Sequence, residues 1–293
     1  MKELLVLFTV ILSLHAQNIT HFSAYTKGDS DTRYVAATDT GQVYWFAPGY
    51  PWQRSSMKGI PQQKEIKALS TYTKGSDTRY VIVTFDNSIY WFAPGQPWQK
   101  SSTQGLPRAN IKFLETYTKG SHDTRYVAVM SDNSIYWFAP GQPWQKSSTQ
   151  GLPLEHDIKL FSTYTKGSDT RYVAVMSDNS IYWFAPGYPW QKSSTKGLPA
   201  DKDIVCFSTY TKGANDTRYV AVMSDNSIYW FAPKYPWQKS STQGLPADKD
   251  IRLFSTYTKG SDTRYVIVMS DNSIYWFAPK YPWQKSSTQG LVK

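Results

Sequence analysis

Six near-identical segments of about 46 residues, each reading as four short strands separated by Gly, Pro, Asp and Asn turns, predict an all-β fold, a six-bladed β-propeller with four antiparallel strands per blade. The arginine of a DTR triplet marks the register, at Arg33, Arg79, Arg125, Arg171, Arg218 and Arg264. Repeats at about 18–61, 62–107, 108–153, 154–199, 200–246 and 247–293 fill the chain after its first residues. No segment is left for the capping repeats that an open solenoid needs, and a closed ring needs none.

The fourth copy, from Ile158 to Pro199, serves as the specimen. Its strands are expected at 158–165, 171–176, 180–185 and 190–194, where β-branched and aromatic residues gather. No run has a helical period. The second turn reads DNS in copies two to six, and Gly41 stands where copy two has Asn87. Asn and Gly are the residues that most readily take a positive φ, so this hairpin is expected to contain one left-handed residue. At the third turn Gly49, Gly95, Gly141 and Gly187 give way to Lys234 and Lys280, from which no left-handed residue is expected there. The first turn gains one residue in copies one, three and five, the mark of an exposed loop.

Residues 1–16 read as a signal peptide, with Lys2 opening a short basic region, an apolar run from Leu4 to Leu14, and Ala16 at the cleavage point. The expectation is a secreted protein, extracellular or periplasmic, whose residues 17–293 form the propeller. The apolar run is too short to span a bilayer and none like it follows, so no membrane insertion is expected. Cys206 is the only cysteine, which excludes an intramolecular disulfide. The sequons at Asn18 and Asn215 are acceptors if the source glycosylates.

The net charge of +10 is spread evenly over the copies, with no basic tail or stripe, and nucleic acid is not an expected partner. His21, His122 and His156 occupy no repeated position; no metal-spaced cluster, Ser-His-Asp order or phosphate loop is present, so neither a cofactor, a metal nor an enzyme is expected. Six like blades suit repeated binding better than a catalytic site assembled from unlike ones. The aspartate of SDN reads as a turn residue that accepts backbone N–H groups.

Antiparallel hairpins place the first and third turns at one rim. Asp169, Arg171, Tyr188 and Trp190 of the specimen blade are therefore expected together, and likewise Asp31, Asp77, Asp123, Asp216 and Asp262 with their arginines. A guanidinium offers a rigid fork of donors to vicinal hydroxyls, and an indole face packs on the C–H patch of a pyranose. Up to six such sites point to a multivalent carbohydrate-binding protein whose partners are glycans; the reading from another class is a protein-binding or structural scaffold. Arg171 with Asp169 reads equally as an ion pair pinning adjacent blades. Trp183, within the third strand, reads as blade packing, while Trp190 reads as either packing or contact.

TRYV, a turn, an SIYWF strand and a G-x-x-W ending resemble the six-bladed fucose-binding lectins of fungi and bacteria, whose blades carry I-R-V-Y and W-D-G-x-G-W. The resemblance covers all six copies. It implies that Arg33 and its equivalents hold the sugar together with Trp52, Trp98, Trp144, Trp190, Trp237 and Trp283. The third-strand glutamate of that family is replaced here by Tyr or Trp. The blades are also similar to tectonin-type repeats, in which a tryptophan closes each short sheet.

Overall fold

The computed structural model describes residues 17–28, 30–61, 64–119, 122–213 and 216–291. The signal-peptide segment and Asn215 lie outside the described residues. The remainder is a six-bladed β-propeller of 24 strands in six four-stranded antiparallel sheets, each in sequential order. In the specimen blade the strands are Ile158–Lys166, Asp169–Met176, Ile181–Phe184 and Gln191–Lys192. First strands lie innermost, against those of the neighbouring blades and around an axial funnel. Among the described residues no helix is long and apolar enough to cross a membrane.

Strand alternation makes each blade two-faced. Arg171, Val173 and Val175 share one face of the second strand, and Tyr172, Ala174 and Met176 the other. The second face packs on the preceding blade: Phe161, Tyr172, Ala174, Met176, Phe184 and Trp190 bury themselves against Val127, Val129 and Ile135. Six such clusters, one per interface, make up the core. Tyr172 stacks on Phe184, which in turn packs on Trp190, so three rings of one blade form a ladder along the seam.

The second turn follows its chemistry. Asn179 has φ 64° and donates its N–H to Met176 O, while the Asp178 carboxylate accepts from the Ser180 N–H at 2.9 Å. Gly41 takes the same left-handed conformation at φ 73°. The Asn179 side chain reaches the next blade, where its oxygen accepts from Ile204 N at 3.0 Å.

The third turn corrects the sequence expectation. Tyr188 N donates to Ala185 O at 3.1 Å with Pro186 and Gly187 between them, a type II turn with Gly187 at φ 86°. Lys234 and Lys280 hold the same conformation at φ 77° and 76°. Proline fixes the first central residue and the closing hydrogen bond fixes the second, so the turn imposes a left-handed backbone on whatever residue stands there. A side chain is tolerated because a Cβ at Gly187 meets nothing within 4 Å.

The inter-blade linker contains a stricter glycine. Gly151, at φ 95°, lies so close to the next blade that an added Cβ would fall inside the contact radius of the Trp190 carbonyl oxygen. Its equivalents Gly59, Gly105, Gly197, Gly244 and Gly290 are placed alike. The last of these closes the ring: Trp52 N donates to Gln289 O at 2.8 Å and Trp52 Nε1 to Ser287 O at 2.9 Å. At the same seam the Asn18 side chain donates to Asp39 and accepts from Asn272.

Candidate carbohydrate-binding site

The six arginines stand at one rim, each on the face of the second strand that looks toward the following blade. Val173 pairs with Trp183 across the sheet, so Arg171, two residues earlier on the same face, is a diagonal neighbour of that indole. Its guanidinium carbon lies 5.7 Å from the centroid of the Trp183 ring. Arg33 over Trp45, Arg79 over Trp91, Arg125 over Trp137, Arg218 over Trp230 and Arg264 over Trp276 repeat the arrangement at 5.4–5.8 Å. This is cation–π distance. The indoles are half-buried, so the pair presents a charged, donor-rich plane backed by an aromatic wall.

Each aspartate at the start of the second strand pairs with the arginine two residues on, in its own blade. The contacts are Asp31–Arg33 at 2.6 Å, Asp77–Arg79 at 3.4 Å, Asp123–Arg125 at 2.5 Å, Asp169–Arg171 at 3.3 Å, Asp216–Arg218 at 2.6 Å and Asp262–Arg264 at 3.4 Å. Residues i and i+2 share a strand face, which makes the contact local. The expectation that this pair pins adjacent blades is therefore not met: the carboxylate orients its own guanidinium.

Between blades one and two these groups open into a cleft of about 310 Å³. Arg33, Trp45 and Lys27 form one wall, and Thr78, Phe92, Pro94 and Gly95 of the next blade form the other. The site thus belongs to an interface, with the third turn of one blade bounding the arginine of its neighbour. The axial funnel at the same rim is larger, about 480 Å³, but its lining of Thr, Tyr and Gly with Ala24 offers hydroxyls and no charge.

The second tryptophan series is placed elsewhere. Trp52, Trp98, Trp144, Trp190, Trp237 and Trp283 are only 3% or 4% exposed, which leaves no indole face for a ligand. Trp190 Nε1 donates to Ser148 O of the preceding blade at 2.9 Å, and its backbone N–H donates to Gln150 O. The other five make the same bond, to Ser287, Ser56, Ser102, Ser194 and Ser241. As sugar contacts these six are corrected: the linker of one blade folds over the indole of the next and satisfies its donor. The third-strand tryptophans, read from sequence as packing, both pack partly on the next blade and carry the arginine. Strand parity holds the signal that separates the two series, since Trp183 shares a face with Arg171 while Trp190 packs on Phe184 across the sheet.

No family model matches this chain, and no curated protein matches it. Solved structures do match. The fucose-specific lectin from Aleuria aurantia superposes with a TM-score of 0.62 at 14% identity, over 92% of this chain and 95% of that one. The shared feature is the six-bladed propeller. SapL1 lectin in complex with alpha methyl fucoside gives 0.61 at 14% identity, over 94% and 97%. YCF48 bound to D1 peptide gives 0.54 at 13% identity, over 92% and 81%. Fold likeness therefore reaches proteins with sugar and with peptide ligands, and the ligand class has to be argued from the cleft.

Proposed function

We propose that this protein is an exported, non-catalytic lectin that binds glycans through the arginine clefts at one rim. The observation that carries the reading is the six-fold recurrence of a guanidinium held over an indole by an aspartate of its own strand. A fixed fork of N–H donors matches vicinal sugar hydroxyls, and the aromatic wall accepts the apolar side of a pyranose. The cleft beside Arg33 falls at the lower end of the size range of small-molecule sites. Fucoside and fucose-specific lectins among the structural neighbours support the same class of ligand.

The carboxylates argue for binding over hydrolysis. A glycosidase needs two carboxyl groups facing each other across the bond to be cut. Here each cleft's aspartate is engaged with its arginine, and the SDN aspartates at the opposite rim are engaged with their turns. Up to six similar sites on one face would make each contact weak and the sum strong, raising avidity by about 100- to 10,000-fold over one site. A glycan array probed with the mature protein tests this. Retention of a set of glycans that share one terminal sugar is expected; binding to none, together with capture of peptides at the same rim, would establish the scaffold reading instead.

A further inference from the structure

The six blades alternate. The first turn carries one extra residue in blades one, three and five, which read KGDSDTR, KGSHDTR and KGANDTR, against KGSDTR in blades two, four and six. The seams alternate with it. Thr118 Oγ1 donates to Thr73 O at 2.5 Å, Thr211 Oγ1 to Thr165 O at 2.5 Å, and Thr26 Oγ1 to Thr258 O, joining blades two to three, four to five and six to one. The same three seams carry hydroxyl pairs 3.4 Å apart, Tyr72–Tyr126, Tyr164–Tyr219 and Tyr34–Tyr257. Among the described residues this threonine-to-carbonyl bond does not recur at the other three seams; two of these carry the Ser23–Thr71 and Ser208–Thr256 hydroxyl contacts at 2.7 and 2.8 Å, deeper in the sheet, and their Tyr25–Tyr80 and Tyr210–Tyr265 rings stand farther apart, 6.4 Å against 6.0–6.1 Å.

The arginine sites follow the same rhythm. In blades one, three and five the ion pair closes to 2.5–2.6 Å, and in blades two, four and six it stands at 3.3–3.4 Å. The aspartate side chains are 42–45% exposed in the first set and 64% in the second. Each long-turn blade is followed by a seam without this threonine-to-carbonyl bridge, and the cleft of Arg33 opens at one of these. Each short-turn blade is followed by a bridged seam, and there the Nε–H groups of Arg171 and Arg264 are buried with no partner.

We infer that the ring is built as three blade pairs, two with three, four with five and six with one, and that its clefts form two sets of three. Ligand enters first at Arg33, Arg125 and Arg218, so the protein reads three copies of a sugar with vicinal hydroxyls at three-fold spacing. This rests on the lectin reading. Entry at a seam requires its two walls to part or to stand apart already. At three seams the threonine bond to the neighbouring carbonyl, at the first-turn end of the first strand, resists that; at the other three a tight aspartate fixes the guanidinium before the sugar arrives. A donor buried beside a bridged seam serves neither protein nor ligand.

Two measurements decide the matter. Calorimetric melting of a Thr26→Val, Thr118→Val, Thr211→Val variant is expected to lose about 5 °C or more in Tm, from three inter-blade hydrogen bonds. The register-matched variant Thr73→Val, Thr165→Val, Thr258→Val is expected to lose less than about 2 °C by the same reckoning. Equal losses overturn the pairing whether or not any sugar binds. Native mass spectrometry with methyl α-L-fucoside is then expected to show three ligands bound before the rest, and an Arg33→Gln, Arg125→Gln, Arg218→Gln variant to lose those early steps. Six equivalent steps in the wild type, or a variant whose first ligands still bind at the wild-type early affinity, overturn the division of sites. If the wild-type protein takes up no fucoside, the failure falls on the sugar reading, and the melting comparison alone decides the pairing.

Discussion

Replacing Trp190 by phenylalanine separates cement from contact. The indole Nε1–H is the donor to Ser148 O across the seam, at 2.9 Å, and the residue is 3% exposed. Phenylalanine keeps a ring against Phe184 but leaves a carbonyl without its partner where water has little access, at a cost of about 1–3 kcal/mol. The void left by the smaller ring adds to this, within the bound of about 3–5 kcal/mol for removing a whole buried aromatic side chain. A total near 3 kcal/mol corresponds to a fall in Tm of roughly 6 °C or more for a chain of this size. Differential scanning calorimetry reads it directly, with Trp183→Phe as the companion. That indole is half-buried at the edge of the next cluster, has no Nε1 bond to a neighbouring carbonyl among the described residues, and keeps a ring as phenylalanine, so its replacement is expected to cost about 1 kcal/mol, less than at Trp190. An unchanged Tm for Trp190→Phe with glycan binding abolished would refute the assignment of this series to the seams.

Other outcomes follow from single residues. Lys234→Gly and Lys280→Gly are expected to raise stability by roughly 0.5 kcal/mol each, the relief of a left-handed Cβ less the greater freedom of glycine in the unfolded chain, measured by chemical denaturation. Glu115 stands where the other blades have serine, and burial pushes its carboxyl up to about 8. The folded protein keeps that proton where the unfolded chain loses it. Stability should therefore fall as pH rises from about 4.5 to about 8 and level off above, and Glu115→Ser should flatten this part of the Tm–pH curve. Burial likewise raises the Cys206 thiol to about 12, so iodoacetamide at pH 8.5 should leave it unmodified in the native protein and alkylate it after unfolding, as read by mass spectrometry.

The blade count, the four strands and the second turn were legible because they rest on local signals: a repeat, β-rich runs and an Asn–Gly exchange. The third turn was not. A Gly-to-Lys exchange suggested an ordinary backbone, yet Pro186 and the Tyr188–Ala185 hydrogen bond set the conformation, and open space above Gly187 lets lysine occupy it. The rim and its arginines were legible from hairpin direction, and the aspartate beside each from its spacing. The packing role of Trp190, open between packing and contact in the sequence, was not legible because its burial depends on the linker of another blade, more than 40 residues away, folding over it. Parity was the available signal: the DNS turn sets Val173 opposite Trp183, which puts that indole on the face of Arg171. The alternation of seams had its trace in the loop lengths, which in sequence marked only an exposed turn.

The proposed binding surface is the set of guanidinium–indole pairs and not the buried tryptophans. Its most direct test replaces all six arginines, Arg33, Arg79, Arg125, Arg171, Arg218 and Arg264, by glutamine and compares the variant with the wild type on one glycan array, with circular dichroism to follow the fold. A folded propeller with no retained glycan signal is expected. A folded variant that binds the same glycans at undiminished strength would contradict it.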